Sequence, residues 1–168
     1  VYFVSAHVPI TYITQVPMTK WYTHSLVYQT KELAGKVLRD VISRGDTVAV
    51  KVHFGERYNQ SYLRPTYVRK VADKIKELGG RPFVCDTLFS GGQVLEDEAG
   101  EALWSRRILE QALKTAAMNG FTSETMGCPV LFADAPKGLQ SIQYKQDGKY
   151  IKTVYIAPAI AEADVLVS

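Results

Sequence analysis

Cysteine is scarce in this chain. Cys85 and Cys128 are the only two among 168 residues, and they stand far apart with no paired spacing. That excludes a legible disulfide framework and a zinc ribbon. Long apolar runs are also missing. Nothing approaches the roughly 20 residues a membrane span needs, and nothing resembles a signal peptide. No dense Lys/Arg cluster with interleaved aromatics occurs, and Arg106-Arg107 is a lone basic pair of the kind a solvated helix face carries. With 20 basic and 17 acidic residues, the net charge of +3 is mild. These absences argue against nucleic-acid and membrane partners and make a reducing cytoplasm the expected location.

What is present suits one globular domain over residues 1–168. Hydrophobic residues at 46% and charged residues at 22% supply a core of ordinary size. The chain starts at Val1 inside an apolar segment and stops at Val165-Leu166-Val167-Ser168 inside another. The expectation is a fragment, incomplete at its C-terminal end.

Periodicity gives the elements. Residues 1–6 read as a strand buried on both faces, and 7–24 as an irregular stretch broken by Pro9 and Pro17. A helix is expected over Leu26 to Ser43, with Leu33, Val37 and Val41 four apart on its apolar face, Leu38 and Ile42 beside them, and Gly45-Asp46 ending it. A strand at 47–52 follows. Pro65 opens a second helix, in which Val68, Val71, Ala72, Ile75 and Leu78 recur at i, i+3, i+4 and i+7, before Gly79-Gly80 stops it. The strand Pro82–Cys85 completes a βαβ unit. A long helix is expected over about Glu96 to Asn119, then a short strand at Pro129–Ala133. Gln140–Lys145 and Lys149–Ile156 flank Asp147-Gly148, a type I′ hairpin signal. The last strand is 164–168. The expected fold is α/β: a mainly parallel sheet with helices on both faces and a β-hairpin insertion. Strands 1–6, 47–52, 81–85 and 164–168 should share the sheet.

The strand 47–52 runs straight into His53, Gly55 and Glu56, and the strand 82–85 ends in Asp86-Thr87. Polar, titratable residues at the carboxyl ends of adjacent strands are how an open α/β sheet builds a ligand site. His53, Glu56 and Asp86 are therefore the candidate catalytic residues and also the candidate metal ligands, His53 serving as general base or ligand. Asn59, Thr87, Gly91 and Gly92 are candidate ligand-binding positions. Ser90-Gly91-Gly92 could present backbone N–H groups to an anion, although its spacing matches no phosphate-binding fingerprint. The competing account of His53 is a strand-end histidine satisfied by backbone, beside a solvated Glu56. The expected partner is a small molecule or a metal ion.

The segment Lys51-Val52-His53-Phe54-Gly55-Glu56, followed by Asn59, Tyr62, Pro65 and Val68, resembles a known family. So do 76–87, which ends in Cys85-Asp86-Thr87, and 117–121, 129–134 and 156–165. The chain is similar over nearly its whole length to domain-of-unknown-function family 362, whose members are often labelled uncharacterised iron–sulfur-centre proteins. The resemblance implies a redox-associated protein whose ferredoxin-type cysteine cluster, and a His- and Gly-rich stretch, lie past Ser168. Two cysteines are too few to hold a cluster within this chain. The family usually follows Asp-Thr with an Asn-Thr-Leu-Tyr run, where this chain has Leu88-Phe89-Ser90-Gly91-Gly92. The family is also distantly similar, at the level of fold, to nickel-dependent lactate racemases. Three functions are open: a small-ligand or metal pocket in a redox-associated protein, a metal-assisted or acid–base enzyme using His53, Glu56 and Asp86, and a non-catalytic binding module.

Overall fold

The computed structural model describes residues 17–56, 59, 61–88, 101–135 and 140–168, without the side chains of Thr19, Trp21, His24 and 101–108. The expected strand 1–6 lies outside them, as do Gly91 and Gly92. Among the described residues, strands β1 (Thr47–Lys51), β2 (Arg81–Asp86), β3 (Val130–Phe132) and β6 (Val165–Val167) form one sheet in the order β3-β2-β1-β6. All three pairings are parallel. The strands β4 (Ile142–Lys145) and β5 (Thr153–Ile156) make a separate antiparallel ribbon.

β1 and β2 are buried on both faces, which is why their sequences are near-continuous apolar runs. Val48, Val50 and Val84 pack on one side with Val68, Ala72 and Ile75 of helix α2 (Pro65–Glu77) and with Ala34 and Leu38 of helix α1 (Leu26–Leu38). Ala116 of helix α3 (Glu101–Met118) joins the same core, as does Met126 of the short helix α4 (Ser123–Met126). On the other side Ala49, Phe83, Cys85 and Ala133 pack with Ala159 and Ile160 of helix α5 (Pro158–Ala161). α2 starts as its sequence requires. Pro65 occupies the first turn, where its missing N–H costs nothing, and Gly79 follows the end at φ +92°.

Two expectations need correction. α1 ends at Leu38 and not near Ser43, because Ser43 N–H donates to Asp46 Oδ2 and folds the chain into turns before β1. Its buried positions are Ala34, Gly35 and Leu38; Val37 and Val41, expected inside, are 47% and 52% exposed. A Cβ on Gly35 would lie 3.3 Å from Lys74 Cδ, which places α2 close against α1 at this point. The hairpin also differs. Ile142 pairs with Ile156 and Lys145 with Thr153, which leaves residues 146–152 as a connection far longer than a two-residue turn on Asp147-Gly148. This register aligns Ile142 and Tyr144 with Ile156 and Val154 on one face. The I′ register is offset by an odd number of residues and would split those pairs between faces.

Candidate functional site

The site grows from the carboxyl ends of β1 and β2. Asp86, the last residue of β2, is buried, and among the described residues its carboxylate makes four polar contacts. Oδ1 takes Lys51 Nζ at 2.7 Å and the Thr87 N–H at 2.8 Å. Oδ2 takes the Phe54 N–H at 2.9 Å and lies 3.2 Å from His53 Nδ1. Burial pushes the Asp86 carboxyl up. The Lys51 hydrogen bond, the Phe54 and Thr87 N–H groups and the Lys51 charge outweigh burial and hold it below the ordinary aspartate value. Asp86 is thus an ionised hub that ties the end of β1 to the end of β2.

The turn that carries His53 and Glu56 is anchored from below. Phe54 is buried and stacks on Phe121 at a centroid distance of 4.8 Å, with Phe132 edge-on at 5.4 Å. Asn119, just past α3, donates from Nδ2 to the Phe54 carbonyl at 2.9 Å. Gly55 sits at φ +80°, and a Cβ there would lie 2.6 Å from Tyr62 Cδ1 and 2.8 Å from Asn119 Nδ2. Only glycine fits this left-handed, crowded position. The apolar Phe54 points down and its neighbours His53 and Glu56 stay in solvent, with side chains 56% and 59% exposed.

Glu56 Oε1 lies 3.4 Å from His53 Nε2. Its other oxygen, Oε2, accepts a hydrogen bond from Asn59 Nδ2, and Asn59 Oδ1 accepts the Ser61 N–H at 2.8 Å. The Asn59 hydrogen bond, then the backbone N–H of Glu56 itself, hold the Glu56 carboxyl below its ordinary value. The result is a continuous row: Lys51, Asp86, His53, Glu56, Asn59.

The sequence-derived residues fare unevenly. His53, Glu56, Asp86 and Asn59 come together. Thr87 takes part through its backbone N–H, which donates to Asp86. The three candidate metal ligands do not share a coordination centre. Asp86 faces one ring nitrogen of His53 and Glu56 the other, and no group of three or more His, Cys, Asp or Glu residues is arranged to hold a metal among the described residues. Sequence reasoning passed over Lys51 and Asn119. Lys51 could have been found, because parallel pairing puts it beside Cys85 and next to Asp86. Nothing local marks Asn119, which acts across 65 residues. Asp134, just past β3, is buried and accepts the Leu88 N–H at 2.9 and 3.1 Å, a structural cap.

The cysteines do not fit an iron–sulfur cluster. Both lie in the core. Burial pushes the Cys85 thiol up to about 12 and raises Cys128 as well, whereas the ligand form is the thiolate. No helix among the described residues is long and apolar enough to cross a membrane.

Comparison with curated proteins finds no match, and neither does comparison with solved structures. A family model does match, over residues 48–168, which takes in the whole row from Lys51 to Asp86 together with Asn119. The chain belongs to the family described as a domain of unknown function, DUF362.

Proposed function

We propose that this domain holds a small-ligand site at the carboxyl ends of β1 and β2, with His53 Nε2 as its working atom. The observation that carries this is the contact of His53 Nδ1 with Asp86. An ionised carboxylate accepts only, so the ring nitrogen facing it carries the proton. That leaves Nε2 as a lone-pair donor, turned to solvent beside Glu56. An imidazole satisfied by backbone alone would need no such buried, four-donor carboxylate.

The same pairing favours a second reading, acid–base catalysis. A buried Asp orienting a His is the arrangement that lets an imidazole take and return a proton. On that reading Asp86 positions His53 and Glu56 steadies the imidazolium. The redox association implied by the family label has no support in the two core thiols, and within this domain the ligand site stands without it.

The test is protein-observed NMR with a panel of small oxyacids, alcohols and carbonyl compounds. Saturable shifts centred on His53, Glu56 and Asn59, lost in His53→Ala, are expected. Shifts confined to other surfaces would refute the assignment.

A further inference from the structure

We propose that His53 Nε2 and Glu56 Oε1 together bind a divalent cation of zinc-like chemistry, in an open site completed by water or substrate. The inference rests on the ligand-site reading above and names the class of ligand.

Three observations carry it. The first is the separation of the two donor atoms, 3.4 Å. A charge-assisted N–H···O hydrogen bond closes to about 2.7–2.9 Å, so this contact is too long to be a good one. A tetrahedral zinc ion with Zn–N near 2.05 Å and Zn–O near 2.1 Å needs a donor separation of about 3.4 Å. The second is the outer partner of each donor. The His53 ring is held through Nδ1 by Asp86, and the Glu56 carboxylate through Oε2 by Asn59. Metal-binding His and carboxylate groups are oriented in this way, each by its other polar atom. The third is access. Both side chains are more than half exposed, while the Lys51 ammonium that would repel a cation is held on Asp86 Oδ1, the oxygen not facing His53.

The donor set selects the ion. One imidazole and one carboxylate suit Zn²⁺ and its borderline neighbours better than Mg²⁺ or Ca²⁺, which prefer all-oxygen shells. Two protein ligands leave two positions of a tetrahedral ion to water or substrate, one more than the three-ligand catalytic zinc sites leave. Asp86 leaves the ligand set and becomes the group that fixes the ring.

Co²⁺ is the probe, titrated into the tag-free chain and followed by its visible absorption. Saturable one-to-one binding with the intense bands of four-coordinate cobalt is expected, with Zn²⁺ displacing it. His53→Ala and Glu56→Gln should each abolish saturable binding. Asn59→Ala should weaken it by about 10-fold or more, as loss of an outer partner does. Both His53 and Glu56 are exposed, so neither variant should fail to fold, and circular dichroism checks this. No saturable binding, or binding indifferent to His53→Ala, overturns the inference. Should cobalt fail to bind while the small-molecule panel still shifts His53, the cation assignment falls and the ligand site stands. Should neither bind, both fall.

Discussion

Replacing Asp86 by Asn changes one atom and removes one charge, and the hydrogen-bond pattern says what this costs. Each carboxylate oxygen serves two donors: Oδ1 serves Lys51 and Thr87, and Oδ2 serves Phe54 and His53. An amide keeps one oxygen. With its nitrogen turned toward Lys51 it faces an ammonium and the Thr87 N–H. With its nitrogen turned the other way it orphans the buried Phe54 N–H and meets His53 as a donor. The second arrangement is the better one, yet it still leaves a buried N–H unpaired, at about 1–3 kcal/mol. It also weakens the charged Lys51 bond, itself worth about 1.5–3 kcal/mol. Asp86→Asn should therefore destabilise by about 2–5 kcal/mol at pH 7, a large share of the roughly 5–15 kcal/mol a domain has. Urea denaturation reads this as a lower midpoint at unchanged slope. The gap should depend on pH. The folded pKa of Asp86 lies below its ordinary value of 3.8, so the stabilisation is present above 3.8 and is lost as pH falls through the folded value. The gap should begin to close below about pH 3.8 and vanish once the pH lies below the folded value. Asp134→Asn is the control. Among the described residues both oxygens of Asp134 meet a single donor, the Leu88 N–H, and one amide oxygen can serve it. Its effect should stay within about 1 kcal/mol. A loss under about 1 kcal/mol for Asp86→Asn, or equal losses for the two variants, would refute the hub.

Three further outcomes are expected. His53→Ala should cost about 1 kcal/mol or less, and Val50→Ala in the buried strand about 1–3 kcal/mol, both read by thermal denaturation; equal losses would make His53 a structural histidine. Gly55→Ala combines a left-handed backbone with overlap on Tyr62 and Asn119 and should cost about 2–4 kcal/mol by the same measurement. Cys85 and Cys128 should react with a thiol reagent only after denaturation, since burial raises both; prompt labelling of Cys85 in the folded chain would contradict its packing.

The βαβ unit was legible because several signals agree there. The stripe on α2, Pro65 at its start and Gly79 after its end all point to one helix between two apolar strands. α1 was misjudged for a physical reason. Leu33/Val37/Val41 and Ala34/Leu38/Ile42 are both stripes of three residues at four-residue spacing; Leu38 and Ile42 are buried as expected, and hydrophobicity alone wrongly placed Val37 and Val41 with them. Helix contact favours the second, because α2 lies close against α1 at Gly35. The Asp147-Gly148 signal lost to register, since a local turn preference is weaker than the alignment of two apolar pairs on one face. At the site, His53 and Glu56 could be placed because they follow a strand directly, and Asp86 because it ends the next. Their division of labour could not be read. Which oxygen meets which nitrogen depends on Phe54 being pinned by Phe121 and Asn119, contacts that span more than sixty residues.

The central claim is that Asp86 fixes His53 with its proton on Nδ1 and its lone pair on Nε2. Two-dimensional ¹H–¹⁵N NMR of the imidazole nitrogens reads this directly, at a pH where the ring is neutral. The pattern of a protonated Nδ1 and a bare Nε2 is expected, changing in Asp86→Asn, whose amide donates toward Nδ1. A wild-type ring with its proton on Nε2, or one that averages freely between the two forms, would contradict the account.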